Sequence, residues 1–332
     1  MSSFLESLLE RARRAHRRLV LSEGDDERVR EAAATVATSR LAAVTLLGGD
    51  AAAAWAAREA PLVAVRNPAA DPSRAAVADL LARRKPDKVA DRRRGLELAA
   101  DPLRFAAGLV ALGEADATVG GAAHTTADVL RAALWAVGPA EGITTVSSCF
   151  YMVTASFGVL SFADCAVVQY PTAEQLADIA VAAARDRRRV VGDEPVVAFL
   201  SHATRGSAEG ESVDRVRRAV ERFRALEPGI PADGELQADA ALVAAVGERK
   251  APGSPAAGRA NVLVFPDLDS GNIAYKLVQR IAPARAIGPV VQGLRQPCSD
   301  LSRGATADDV VLVCAVALLQ SSGVQAVPLA EE

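Results

Sequence analysis

A chain of 332 residues, 50% hydrophobic, carries 38 basic against 41 acidic residues for a net charge of -3. That balance leaves ample apolar sequence for two domain cores and no whole-molecule field to recruit nucleic acid. Aromatic residues are only 4% of the chain, too few for base-stacking platforms, and no segment approaches the ~18 uncharged apolar residues of a membrane span. The four cysteines, Cys149, Cys165, Cys298 and Cys314, stand apart with no C-x-x-C and no histidine spacing of a zinc site. Reduced thiols in a cytoplasm are expected.

The first stretch, MSSFLESLLERARRAHRRLVL, sets Phe4, Leu5, Leu8, Leu9 and Ala12 on one helical face. Glu6 and Glu10, and a basic cluster that follows the apolar positions, weigh against a targeting segment and for an amphipathic first helix. A strand is expected at RLVLSEG, a helix from about Asp26 through ERVREAAATVATS, and strands at LAAVTLLGG and PLVAVRNP. A helix before and around RFAAGLVALGEA leads to a strand at DATVGGA, a helix at TTADVLRAALWAVG and a strand at ITTVSSCFYMV. FGVLSFADCAVVQY reads as a pair of β-rich stretches. Helix TAEQLADIAVAAARDRR, strand PVVAFLS, helix SVDRVRRAVERFRAL, strand ANVLVFP and helix GNIAYKLVQRIA follow, and the apolar helix DDVVLVCAVALLQSS ends the series. Such alternation implies an α/β fold with mostly parallel sheets flanked by helices.

In folds of this kind ligands gather beyond the carboxyl ends of strands. The loops there, SEGDDER, GGAAHTTAD, SHATRGSAEG, PDLDSGN and DLSRGATADD, mix glycine with hydroxyls and charges. Each alone is explained by turn and cap chemistry; five together point to a lined cleft. The glycine-rich phosphate motifs, H-E-x-x-H and G-x-S-x-G are all absent, and His16, His124 and His202 are isolated. The basic runs DRRRG and RDRRRV read as solvated faces. Arginine near helix starts is what remains. Thr125 and Asp128 have the spacing of a capping box one turn ahead of Arg131, and Thr306 and Asp309 repeat it after Ser302 and Arg303. On spacing alone, Asp309 is accounted for as an acid stabilising its own helix.

The blocks GGAAHTTADVLR, ADCAVVQYPTAEQLADIA, DGELQADAALV, KAPGSPAAGRANVLVFPDLDSGNIAYKLVQR and DLSRG resemble the phosphate acetyl/butyryl transferase (phosphotransacetylase) family over nearly the whole chain. That resemblance implies reversible acetyl transfer between coenzyme A and phosphate in a cytoplasmic homodimer. It implies no metal and no bound cofactor, coenzyme A being a substrate. It also implies a fold like that of isocitrate and isopropylmalate dehydrogenases: a discontinuous domain of residues 1–145 and 299–332, an inserted domain of 146–298, and the active site in the cleft between them. On the same basis Asp309 takes the thiol proton, Ser302 bonds the developing tetrahedral centre, and Arg303 holds acetyl phosphate. Arg131, Thr126 and Arg84 bind substrate, with Arg83 an alternative to Arg84. An aspartate's reference pKa of ~3.9 lies about 4.6 units below that of a thiol, so proximity and Arg303 are expected to carry more of the acceleration than the base does.

Two departures from the family pattern stand out. Ser299 replaces the usual Asn three residues before Ser302, and Arg205 replaces a Lys. Competing readings are a phosphate butyryltransferase with a roomier acyl pocket, a non-catalytic coenzyme A-binding or dimer-forming module, and a metal-dependent dehydrogenase using Asp267 and Asp269.

Overall fold

The computed structural model describes residues 2–282 and 284–321. The described chain divides into two compact units, one of Ser2 with residues 141–293 and one of residues 3–140 with residues 294–321. These divisions fall a few residues before the boundaries read from sequence.

In the unit that opens the chain, α1 (Ser2–Arg14) buries Leu8 and Ala12, as their placement on one face requires. The alternation continues through β1 (Arg17–Leu21), α2 (Glu27–Thr38), β2 (Ala42–Leu47), α3 (Asp50–Glu59) and β3 (Ala64–Arg66). Three helices, α4 (Arg74–Arg84), α5 (Arg92–Ala99) and α6 (Pro102–Ala111), lead to β4 (Ala117–Gly120) and α7 (Thr126–Ala136). Helices α5 and α6 start where Asp91 and Asp101 cap the backbone N–H groups of Arg94 and Arg104.

The other unit contains β5 (Ser147–Val153), β6 (Val159–Ala163), α8 (Ala173–Val190), β7 (Val197–Leu200), α9 (Glu211–Leu226) and β8 (Ala232–Leu236). Two short helices, α10 (Ala238–Leu242) and α11 (Ala244–Lys250), precede β9 (Val262–Val264), α12 (Leu268–Ile281) and β10 (Arg285–Gln292). Its sheet has the order β10-β5-β6-β9-β7-β8, parallel from β6 to β8, with β5 and β10 antiparallel. The chain then returns to the first unit as β11 (Cys298–Asp300) and α13 (Ala307–Gln320). That unit's sheet, β11-β4-β1-β2-β3, is parallel throughout. Helix α13 buries every residue from Val310 to Gln320 against α2, β1 and β4, which explains why its sequence is apolar on all sides.

Three expectations need correction. FGVLSFADCAVVQY gives one strand, β6, because the Asp164 carboxylate accepts from the backbone N–H groups of Ala166, Val167 and Val168 and winds the chain into a turn. Strands β8, β10 and β11 went unread; Gly288-Pro289 interrupts β10, whose outer position in the sheet tolerates the missing N–H. The run RDRRRV is not simply a solvated face. Arg187 is 2% exposed, paired with Asp193 at 2.7 Å and donating to the carbonyl of Asn261 at 2.9 Å. Arg185 and Arg188 do lie on the surface and pair with Glu227 and Glu194.

The four cysteines are free and buried, and burial pushes the Cys298 thiol up to about 12. Asp267 caps α12 by accepting from the Ser270 N–H at 2.8 Å. Among the described residues no cluster of three His, Cys, Asp or Glu could hold a metal ion, and no helix is long and apolar enough to cross a membrane.

Candidate active site

Strands β1, β4 and β11 are neighbours in one parallel sheet, so the loops that leave their carboxyl ends emerge side by side. Asp300, the last residue of β11, is in register with Gly120, the last of β4. Each loop feeds a helix: 22–26 into α2, 121–125 into α7, and 301–306 into α13. Three helix N-termini, with their positive dipole ends, therefore begin at the same end of the sheet. All the site residues read from sequence belong to this one unit.

Ser302 and Arg303 are exposed on the loop after β11. The Ser302 hydroxyl accepts from the Gly304 N–H at 3.3 Å, and among the described residues the Arg303 guanidinium makes no ion pair. Thr306 and Asp309 form the expected capping box. The threonine hydroxyl accepts from the Asp309 N–H at 3.2 Å, while one carboxylate oxygen accepts from the Thr306 N–H at 3.1 Å and hydroxyl at 2.8 Å. The structural account of Asp309 thus holds, and the carboxylate is in the first turn of α13, six positions beyond Arg303.

Arg131 is exposed and bound to Asp128 on its own helix at 2.7 Å. Thr125 caps α7 through the Asp128 N–H at 3.3 Å and donates to that carboxylate at 2.7 Å, so Asp128 has two partners before any ligand arrives. Arg84 is half-buried at the end of α4, donating to the carbonyl of Val137 at 2.8 Å. Burial, with the like charges of Arg295 and Arg83 nearby, lowers its pKa. Arg83 next to it is exposed. The Thr126 hydroxyl turns inward and donates to Asp300 at 2.6 Å.

That contact leads to residues the sequence reading missed. Asp300 is 1% exposed, and its second carboxylate oxygen has no hydrogen-bond partner among the described residues. Burial pushes its carboxyl up to about 7; the Thr126 hydroxyl pulls the other way, and the charge of Glu23 adds to the rise. Glu23 is also buried. It accepts from the backbone N–H groups of Ala122, Ala123 and His124 at 2.7, 2.9 and 3.0 Å, and lies 2.7 Å from His124 Nδ1. The N–H groups after β4 are therefore already occupied by a protein carboxylate. Ser299, where the family pattern has Asn, is 1% exposed, and its hydroxyl lacks a partner among the described residues.

A family model described as "Phosphate acetyl/butaryl transferase" matches residues 3–318. A phosphate acetyltransferase from Paracoccus denitrificans is 45% identical over 322 residues, covering 96% of this chain and 99% of the relative. A phosphotransacetylase structure from Streptococcus pyogenes superposes with a TM-score of 0.91 at 36% identity, covering 97% and 98% of the two chains. The chain belongs to the phosphate acetyl/butyryl transferase family. A 4-hydroxythreonine-4-phosphate dehydrogenase from Klebsiella pneumoniae shares the fold at a TM-score of 0.54 and 13% identity, covering 92% of this chain and 99% of that one. The dehydrogenase-like architecture read from sequence is thereby found.

Within this transferase the two sets of groups at the strand ends differ in kind. Ser302, Arg303 and Arg131 are exposed, whereas Asp300 and Glu23 are enclosed. Gly121 permits the close approach to Asp300. Its φ is +103°, and a Cβ there would come within 2.2 Å of the Asp300 carboxylate. Gly121→Ala is expected to destabilise the fold by about 3 kcal/mol, combining strain at that φ with the clash, as denaturant unfolding would measure.

Proposed function

We propose that the chain transfers an acetyl group reversibly between coenzyme A and phosphate through a ternary complex. In the forward direction the thiol proton passes to Asp309 as sulfur attacks the acetyl carbonyl carbon. The sulfur–carbon bond forms, the bond from that carbon to the phosphate oxygen breaks, and the electron pair leaves with phosphate. Arg303 neutralises charge on the acyl phosphate and its transition state, and Ser302 donates to the tetrahedral oxygen. Arg131, Thr126 and Arg84 bind substrate, Thr126 through α7's first turn, since its hydroxyl is committed to Asp300.

The observation that carries this reading is Arg303: an exposed guanidinium that makes no ion pair among the described residues, next to Ser302 and where three helix N-termini begin. A phosphate-bearing substrate supplies the missing counter-charge. The test is thioester formation by purified, chelator-treated protein given coenzyme A with acetyl phosphate or butyryl phosphate. Faster acetyl transfer is the expected result. Faster butyryl transfer would reassign the acyl group, and no thioester from either would overturn the reading.

The proposal includes a homodimer in the cytoplasm. Supporting it, α12 leaves Ile273, Leu277 and Ile281 57%, 52% and 75% exposed, spaced four apart along one apolar stripe. Sedimentation should give twice the monomer mass, and Leu277→Asp should reduce it to the monomer.

A further inference from the structure

The loop between β1 and α2, together with the first turn of α2, grips both polarities of the loops that surround the proposed transfer site. Glu23 takes backbone donors after β4, and Arg28 takes backbone acceptors. Arg28 Nη1 donates to the carbonyl of Arg303 at 2.8 Å and of Ala305 at 2.9 Å, and Nη2 donates to that of Ala122 at 3.0 Å. Its remaining donors go to Asp26, Nε to one carboxylate oxygen at 3.1 Å and Nη2 to the other at 2.7 Å. Asp26 in turn caps α2 by accepting from the Arg28 N–H at 3.0 Å, so the guanidinium is fixed at its base.

A guanidinium has five N–H donors, and here five contacts use them. None is left for a substrate. The same count explains why Lys cannot replace Arg: an ammonium has three donors and no planar fork to span two loops. Ala122 is held from both sides, its N–H by Glu23 and its carbonyl by Arg28.

We infer that Arg28 is a positioning residue: it fixes the 302–305 loop to the loop after β4 and so sets where the Arg303 and Ser302 side chains meet the acyl phosphate. This rests on the transfer reading given above. Its force comes from the location of the grip. Arg28 holds the backbone of Arg303 itself, and a displacement of ~1 Å at a reacting group costs on the order of 10²-fold in rate.

The test compares Arg28→Lys and Arg28→Ala with Arg30→Lys, whose parent side chain, among the described residues, donates to the carbonyl of Asp25 next to it and to neither of the loops that Arg28 holds. For Arg28→Lys, kcat should fall about 30-fold while the KM for coenzyme A stays within about threefold, because the loop is misplaced rather than the cofactor-sized substrate lost. Added guanidinium ion should restore part of the activity of Arg28→Ala and none of that of Arg303→Ala. Amide exchange over residues 301–306 should quicken at least about tenfold in Arg28→Lys and be unchanged in Arg30→Lys. A kcat within about twofold of the parent protein, or unchanged exchange in that loop, overturns the inference. If Arg28→Ala does not fold, Arg28→Lys decides. Should the parent protein form no thioester, the transfer reading fails, and the exchange result still decides whether Arg28 holds the loop.

Discussion

Arg303→Ala is expected to lower kcat/KM for acetyl-coenzyme A formation by about 10³-fold, the loss seen when one preorganised donor to a developing anion is removed. Unfolding should barely change. The side chain is exposed and makes no ion pair among the described residues, so truncation belongs with surface substitutions that shift stability by roughly 0.5 kcal/mol or less. The Arg303 carbonyl that Arg28 holds is backbone, and the variant keeps it. Large kinetic loss with unaltered stability separates a substrate-binding guanidinium from a structural one. A loss below about tenfold would mean that the charge is stabilised elsewhere.

The comparison with Asp309 is informative because that residue has a structural role as well. Asp309→Asn keeps an acceptor for Thr306, and Thr306→Ala removes the cap while leaving the carboxylate. Loss of the cap should cost about 1 kcal/mol of stability. If Asp309 serves only the cap, Thr306→Ala and Asp309→Asn should have similar, small kinetic effects. Asp309→Asn is expected to be slower than Thr306→Ala but less damaged than Arg303→Ala, since in the proposed ternary complex holding thiol and acyl phosphate together would itself supply a large share of the acceleration. Equal, severe losses in Asp309→Asn and Arg303→Ala would instead make proton removal the dominant requirement.

What could be read from the sequence was the chemistry that neighbouring residues share. Ser302, Arg303, Thr306 and Asp309 lie within eight residues, and their capping box is a local pattern, so both the helix start and the charged loop before it were visible. The β/α alternation was visible for the same reason: the period changes within each segment. Asp300, Glu23 and Arg28 were not. Asp300 is buried against another strand's loop, where Gly121 comes too close for a Cβ, and Glu23 meets partners about a hundred positions away. Arg28 reaches carbonyls 275 and 277 positions along the chain. No spacing rule connects such positions; strand order does, and strand order appears only in the folded sheet. Arg187 was misread in the opposite direction, as its neighbours Arg185 and Arg188 are ordinary surface ion pairs and nothing local marks it as buried.

Asp300→Asn is expected to change how stability depends on pH. Burial raises the folded carboxyl to about 7 from an ordinary value of 3.8, so between those values the native state binds a proton that the unfolded state has lost. Stability supplied by that proton is present at low pH and disappears as pH rises towards 7. For the two values given, the contribution falls by about 2.5 kcal/mol between pH 5 and pH 8. The asparagine variant keeps the shape, can still accept from Thr126, and has no proton to lose. Subtracting its unfolding free energy from that of the parent at each pH, at one protein concentration, cancels the other titrating groups. The difference should therefore drift against the parent protein from pH 5 to pH 8 and then level off. A flat difference would place the carboxyl at ordinary acidity, stabilised as an anion by groups that the sheet brings to it. A drift of the expected size would mean that the fold holds a neutral acid two residues before Ser302, and that crossing pH 7 adds a second negative charge beside Glu23. Substrate phosphate would then meet a more repulsive field, so the KM for acetyl phosphate should rise above pH 7 in the parent protein and stay level in Asp300→Asn.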